Sequence, residues 1–331
     1  MEKVAFILGS RYLYWSSLIL TLAAAVAVCA FLFFYLRKSE RVGGGFLLIP
    51  VAMVLSLFCA RFVHWYCFDE RYESMMAALT DLTSGGFALI GVFVGCLAAA
   101  VLTRILFIHR NLPLVLDSMS LAGAAGIAVG RLASFFNSSD RGQMVENIRT
   151  MPWVYPVVNS VSGVTEYRIA TFLLQAMVSG VLFLLLAAFF LRRKPRRDGD
   201  TALLFLLSYG ASQILLDSTR YDSIYFRSNG FVSIVQVCSI AAVVIVLGIF
   251  SVRLIRNRGF RSWYVGLWLL LLALIGGGGY MEYHIQRHGD DALFAYSVMG
   301  ACLIFIVLIG LLIRALAEKE KRSVKKGRFQ Q

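Results

Sequence analysis

Charged residues and proline are scarce in this sequence. Of its 331 residues only 15% are charged and five are proline, while 59% are hydrophobic. Soluble domains carry about a quarter charged residues, so this composition excludes the ordinary soluble, disordered and fibrous classes of protein. The apolar runs are long and do not alternate with polar residues, which excludes a transmembrane β-barrel. The class that remains is an all-α polytopic membrane protein.

The sequence also lacks paired metal ligands. Its six cysteines include no CxxC pair and no Cys/His spacing typical of zinc sites, and five of them lie inside apolar runs. We therefore expect neither a disulfide framework nor a structural zinc ion, and we predict no cofactor and no metal site. His284 and His288 with Glu282 have metal-ligating chemistry, but a solvated external loop is the favoured interpretation of that segment.

Nine apolar runs of about 20 residues predict nine membrane-spanning helices. They lie at residues 12–35, 46–68, 85–106, 113–136, 170–191, 202–219, 230–252, 263–281 and 293–316. The connecting segments are alternately strongly basic and weakly charged, and the basic set holds most of the 32 lysines and arginines. The positive-inside rule places the basic set in the cytoplasm, which predicts an external N-terminus and a cytoplasmic C-terminus. Topology therefore explains the excess positive charge better than nucleic-acid binding, and we expect no nucleic-acid partner.

Polar residues inside the fourth predicted span indicate a functional site. Arg131, Ser134 and Asn137 fall along one side of the chain near its external end. A guanidinium at this depth is suited to hold the phosphate of a phospholipid headgroup with paired donors. The alternative is an arginine that reaches out to the membrane interface for solvation alone.

The sixth predicted span carries a polar face. Tyr209, Gln213, Asp217 and Arg220 follow one another at intervals of four, four and three residues, which places them on one side of a helix. A polar face in a membrane bundle usually lines a cavity. The alternative is a purely structural pair between Asp217 and Arg220.

Two further spans bring basic residues to the same predicted external side. Arg61 and His64 end the second span, and Arg168 precedes the fifth. Together with Arg131 and Arg220 these residues place four arginines near the outer leaflet. Such a group is typical of a site for an anionic lipid.

Residues 130–142, Gly-Arg-Leu-Ala-Ser-Phe-Phe-Asn-Ser-Ser-Asp-Arg-Gly, resemble the signature of the bacterial prolipoprotein diacylglyceryl transferases, Gly-Arg-x-Gly-Asn-Phe-x-Asn-x-Glu-x-x-Gly. An aspartate, Asp117, precedes the arginine by the family's interval of fourteen residues. Other fragments resemble family motifs in the same order: Gly9 with Trp15, residues 60–64, residues 85–91, residues 168–176, residues 209–222, and Gln236 with Ser239. The resemblance covers about residues 1–252, which hold the first seven predicted spans.

The resemblance implies a fold and a reaction. It implies a seven-helix transferase-like membrane domain at 1–252 with an external cap at 137–167, followed by two extra helices at 253–316 and a basic cytoplasmic tail at 317–331. The family moves the diacylglyceryl group of phosphatidylglycerol to the thiol of a lipobox cysteine in a secreted prolipoprotein. The implied partners are therefore phosphatidylglycerol, or a similar anionic phospholipid, and prolipoprotein signal peptides. The implied location is the bacterial cytoplasmic (inner) membrane, with the site facing the outer leaflet.

The residue matches assign roles within this site. Arg131 matches a phosphate arginine, and Asn137, Tyr209 and Arg220 also match motif positions. Gln213 and Ser134 stand where the family has arginine and asparagine, and both remain candidates for the phosphate site with Arg61 and Arg168.

The catalytic positions depart from the family pattern. Ile90 replaces a histidine and Ser139 a glutamate, so His64 or Asp217 would have to help ionise the acceptor thiol. Two functions stay open: a divergent transferase with Arg131, Asp217 and His64 as catalytic residues, or a non-catalytic relative that binds lipid or lipoprotein together with a partner.

Overall fold

A computed structural model describes residues 4–8, 11–38, 42–81, 85–106, 111–137, 140–145, 153–158, 163–192, 197–226, 232–288 and 291–328. Within these residues the chain forms ten α-helices and two short antiparallel hairpins. The helices are α1 (Trp15–Leu36), α2 (Val42–Cys67), α3 (Met75–Thr80), α4 (Leu89–Ile105), α5 (Leu112–Gly130), α6 (Thr171–Leu191), α7 (Asp200–Ser218), α8 (Ile234–Arg258), α9 (Trp263–His288) and α10 (Ala292–Arg328). Gly9 and Ser139, two of the motif positions, lie outside the described residues.

The expected all-α polytopic membrane fold is confirmed. Eight of the helices are long and apolar enough to cross a membrane. The third predicted span forms the shorter helix α4, which has 17 residues. Gly85 and Gly86 have positive φ angles of 71° and 80°, which a right-handed helix does not allow, and the helix begins only at Leu89. Part of the predicted basic tail at 317–331 continues α10 as far as Arg328.

Small residues allow the helices of the bundle to approach closely. α1 packs along α5, and α2 packs along α4. A Cβ atom added to Gly126 of α5 would lie 3.0 Å from the Ala27 Cβ of α1. A Cβ on Gly91 of α4 would collide with the backbone of Ala60 in α2. These contacts are typical of helix pairs in membranes, where close backbone packing replaces the hydrophobic effect as the source of association.

One end of the bundle carries the predicted cap, and we call it the cap end. Strands β1 (Val4–Leu8) and β2 (Arg11–Tyr14) form the first hairpin. Strands β3 (Val154–Val158) and β4 (Thr165–Ile169) form the second, with Tyr155 opposite Arg168. Residues 140–145 run beside this second hairpin and beside the end of α7, since Met144 pairs with Arg168 and Gly142 with Arg220. The cap therefore joins the end of α5 to the end of α7.

The opposite end of the bundle fixes α7 through two buried aspartates. Asp117 of α5 accepts the backbone N–H groups of Gly199 at 3.0 Å and Ala202 at 2.8 Å, which are free donors at the start of α7. Asp200, the first residue of α7, forms ion pairs with Arg253 at 2.7 Å and with Arg314 of α10 at 3.2 Å. Asp117 thus fixes the position of α5 relative to α7. This contact also determines how the cap ends of the two helices meet.

Replacing Asp117 with alanine should destabilise the protein by about 2 kcal/mol, because buried N–H groups at the start of α7 lose their acceptor. Thermal unfolding in detergent micelles measures the effect. The control is Asp198→Ala, which removes an exposed carboxylate that accepts a hydrogen bond from Asn111 in the same region. Equal melting temperatures for the two variants would contradict the role of Asp117.

Candidate functional site

Two arginines from different helices meet on one carboxylate at the cap end. Arg131 follows α5, and its Nη1 lies 2.5 Å from Asp140 Oδ1. Arg220 follows α7, and its Nη2 lies 2.9 Å from the same oxygen. The second oxygen, Oδ2, accepts a hydrogen bond from the Ser134 hydroxyl at 3.0 Å. All of these side chains are mostly buried, so the group is a shielded anion site already occupied by an anion of the chain itself.

Backbone geometry brings Asp140 to this position. A 3₁₀ helix, Arg131–Phe135, ends α5 and turns the chain across the bundle. Asp140 then adopts the left-handed region with φ of 58°, which aspartate tolerates better than most residues. Its N–H donates to Asp222 Oδ2 at 2.6 Å. Asp222 also accepts hydrogen bonds from Arg220 Nε and Nη2, each at 3.1 Å. Asp222 therefore connects the loop that carries Asp140 to the end of α7.

The charges at this point reinforce one another. Burial alone would raise the pKa of Asp140, but Arg131 and Arg220 outweigh it and lower that pKa to about 2. The Arg131 guanidinium also lies near the hydroxyl of Tyr209 on α7. Asp140 is therefore ionised at neutral pH and is the counter-ion that the two arginines share.

Asp217 links this group to α8. Its Oδ1 lies 3.4 Å from Arg220 Nη1, and its Oδ2 accepts a short hydrogen bond from the Ser233 hydroxyl. Ser233 caps α8 in a reciprocal arrangement with Gln236. The structure therefore brings together Arg131, Ser134, Tyr209, Asp217 and Arg220.

Arg61 lies in different surroundings. It is 1% exposed, and its guanidinium donates to the backbone carbonyls of Ala78, Asp81, Gly85 and Gly86. These carbonyls shape the segment between α3 and α4. The described hydrogen bonds of Arg61 therefore hold a loop and do not reach the Arg131–Asp140–Arg220 group.

The other two basic candidates also have partners of their own. His64 Nδ1 lies 2.9 Å from the Tyr72 hydroxyl. Arg168 pairs with Glu166 at 2.8 Å and lies over the ring of Tyr221 at 4.8 Å. Arg168 is nevertheless close to the site, because its Nη1 reaches the carbonyl of Gly142 at 3.4 Å. Asn137 lies partly buried at the end of the turn after α5.

Gln213 has an unexpected partner. The Nε2 of Gln175 on α6 donates to Gln213 Oε1 at 3.1 Å, and both side chains are almost fully buried. The family motif that residues 168–176 resemble, Arg-His-Pro-Thr-Gln-Leu-Tyr-Glu-Ala, has glutamate where this chain has Gln175, and Gln213 stands at an arginine position. The two departures are therefore in contact, and together they exchange an acid and a base for two neutral amides. Taken together, the two replacements leave the net charge of the bundle unchanged.

Asp140 was missed by the sequence reading. It directly follows Ser139, where the motif has glutamate, so an acid displaced by one position was the available signal. The backbone turn that aims Asp140 at the arginines has no sequence pattern of comparable strength.

The prediction of an external loop around Glu282 is wrong, because α9 continues to His288 and buries Glu282 to 8% exposure. Among the described residues no cluster of three or more metal-ligating side chains occurs.

The fold and site together define a multi-pass α-helical membrane protein with a buried arginine pair at one end of its bundle. A family model described as prolipoprotein diacylglyceryl transferase matches residues 3–252. The chain belongs to this family, which confirms the resemblance read from the motifs.

Curated relatives agree with this assignment. The phosphatidylglycerol–prolipoprotein diacylglyceryl transferase of Finegoldia magna is 26% identical over 249 residues, which are 74% of this chain and 92% of the relative. That of Streptococcus agalactiae is 25% identical over 274 residues, 80% of this chain and all of the relative. That of Streptococcus suis is 26% identical over 271 residues, 80% and 96% of the two chains. The relatives are transferases by name, as expected for this family.

Asp140→Asn should destabilise the protein by about 2 kcal/mol at pH 7, because the two arginines lose their shared anion. A lowered pKa gives stability that is present above about pH 4 and is lost as the pH falls toward 2. The difference from wild type in thermal unfolding should therefore shrink between pH 7 and pH 3. A difference that is the same at both pH values would contradict the ion pairs.

Gln213→Arg alone should destabilise the protein by about 3–5 kcal/mol, because it buries a charge against the neutral amide of Gln175. The double variant Gln175→Glu/Gln213→Arg supplies that acid and should recover most of the loss. Thermal unfolding of Gln175→Glu, Gln213→Arg, the double variant and wild type measures the coupling between the two positions. No recovery in the double variant would show that the two positions do not act as a pair.

Proposed function

We propose that this protein transfers a diacylglyceryl group from phosphatidylglycerol, or a similar anionic phospholipid, to the cysteine thiol of a prolipoprotein at the outer leaflet of the bacterial cytoplasmic membrane. Family membership and the names of the relatives support the reaction. The positive-inside pattern supports the side of the membrane, because it assigns the cap end to the exterior.

One observation carries the proposal: Arg131 and Arg220 contact the same carboxylate oxygen. Two guanidinium groups that converge on one oxygen of Asp140 are also able to converge on one phosphate oxygen. Arginine suits this task because its donors are planar and its charge is permanent. Tyr209 and Ser134 border the same point and offer hydroxyl groups to the remaining oxygens. A phosphate that enters must share the arginines with Asp140 or replace it.

The reaction needs a leaving group and a nucleophile. The acceptor cysteine loses its proton to a base, and its sulfur attacks the carbon of the diacylglyceryl group that is bonded to the phosphate oxygen. A C–S bond forms and the C–O bond to the phosphate breaks, so glycerol phosphate departs with the electron pair. Arg131 and Arg220 would stabilise the charge that develops on the departing phosphate, which is where preorganised donors contribute most to a rate.

The thiol also needs a base, since its ordinary pKa is about 8.5. Of the two candidates, we favour Asp217 over His64. Asp217 contacts Arg220 directly, and with Ser233 and Arg220 as partners its carboxylate keeps lone pairs for a further proton. The described polar partner of His64 is Tyr72. Asp140 is the poorer base, because the arginines hold its pKa near 2.

Arg131→Ala should lower kcat/KM by about 100-fold or more, because it removes a donor aimed at the developing charge. Arg131→Lys should keep the charge, lose the paired geometry and fall between Arg131→Ala and wild type. The assay incubates purified protein with phosphatidylglycerol and a lipobox peptide, and it measures glycerol phosphate release and the mass gain of the peptide. The matched control is Arg287→Ala, an exposed arginine of α9.

Two results would contradict the proposal. If phosphatidylglycerol copurifies with the protein but neither product forms, the chain is a lipid-binding relative without this activity. If products form and Arg131→Ala matches Arg287→Ala, the phosphate lies elsewhere.

A further inference from the structure

Helices α9 and α10, which we call the terminal hairpin, lie beyond the residues that the family model matches. The hairpin packs on α7 and α8 and shares one buried core with them. Its contribution includes Tyr264, Ile285, Tyr296 and Met299. The hairpin is therefore an integral part of the bundle that carries the site.

A buried carboxylate of the hairpin points at the cap end of α7. Glu282 of α9 accepts a hydrogen bond from the Ser218 hydroxyl at 2.6 Å and another from Gln236 Nε2 of α8 at 3.0 Å. Gln286 of its own helix donates a third at 2.8 Å. A carboxylate at this depth is costly unless donors surround it. Three donors from three helices satisfy it and hold those helices in one arrangement.

The partners of Glu282 lead directly to the site. Ser218 is the last residue of α7 and adjoins Asp217. Gln236 accepts the backbone N–H of Ser233, whose hydroxyl donates to Asp217. Asp217 in turn contacts Arg220, which reaches Asp140. Each step is a direct hydrogen bond, an ion pair or a peptide bond.

A second residue of the hairpin also contacts the cap end of α7. The Tyr296 hydroxyl of α10 donates to Gln143 Oε1 at 3.3 Å and lies 3.4 Å from the backbone carbonyl of Ser218. Gln143 Nε2 donates to that same carbonyl at 3.1 Å. The hairpin thus contacts both the end of α7 and the cap segment, residues 140–145, which includes Asp140.

We propose that Glu282 is a positioning residue for the transfer reaction: through Ser218 and Gln236 it fixes Asp217 and Arg220 in the geometry that the donor phosphate and the acceptor thiol require. The proposal rests on the proposed function. It gives the two helices outside the matched region a definite role in catalysis. It also explains why a membrane helix carries an acid inside its apolar face.

The test compares variants at the two ends of the hairpin. Glu282→Leu removes the acceptor at the cap end, whereas Arg314→Gln removes an ion pair to Asp200 at the opposite end. Both should lower the melting temperature in detergent micelles. In the transfer assay, with rates divided by the amount of folded protein, Glu282→Leu should lower kcat roughly 10- to 100-fold with little change in the KM for the lipobox peptide. Arg314→Gln should keep the wild-type kcat.

Two further variants keep the test decisive. Glu282→Gln has the same shape and still offers one acceptor, so it should retain most of the wild-type kcat. If Glu282→Leu does not fold, Ser218→Ala removes only one of its donors and should lower kcat with unchanged KM.

The outcomes separate this proposal from the proposed function. If wild type transfers the lipid but Glu282→Leu and Arg314→Gln keep equal rates per folded molecule, the hairpin is structural and the positioning role is wrong. In place of Glu282→Leu, a Ser218→Ala variant with wild-type kcat would have the same meaning. If wild type transfers nothing, the proposed function fails and the positioning role fails with it.

Discussion

The ion pairs of Asp140 with Arg131 and Arg220 are the interaction on which the site depends. Two guanidinium groups from two helices would repel each other in a buried position, so their approach requires an anion between them. The chain supplies that anion from a loop, through a residue in the left-handed region. Under the proposed function this arrangement has a second use, because it holds the two arginines close enough together to bind one phosphate.

The rest of the bundle fixes the helix that carries half of this site. α7 is held at one end by Asp117 of α5, which accepts the backbone N–H groups at the start of α7. At the cap end it is held by the terminal hairpin and the cap segment. Because α5 carries Arg131 and also binds the start of α7, one helix pair sets both the depth and the spacing of the two arginines. Rigid support of this kind is what a reaction with a charged transition state needs.

Much of this structure is predictable from the sequence, and the exceptions have physical reasons. Apolar runs of membrane length gave the helices, and helical spacing alone placed Tyr209, Asp217 and Arg220 on one side of α7. The contact between Gln175 and Gln213 depends on how two helices slide against each other, which no single helix records. The sequence identified Arg61 as a charged residue in a span, but it did not reveal that backbone carbonyls of a loop accept its hydrogen bonds. Glu282 was assigned to a loop because α9 continues past its apolar run, where hydropathy no longer marks a helix.

The most direct measurement is an experimental structure of the protein with phosphatidylglycerol bound. The headgroup phosphate should lie within hydrogen-bonding distance of both Arg131 and Arg220, with at least one of their ion pairs to Asp140 lengthened or broken. The carbon of the diacylglyceryl group that is bonded to the phosphate oxygen should face Asp217. A phosphate bound elsewhere, with both arginines still on Asp140, would contradict this prediction.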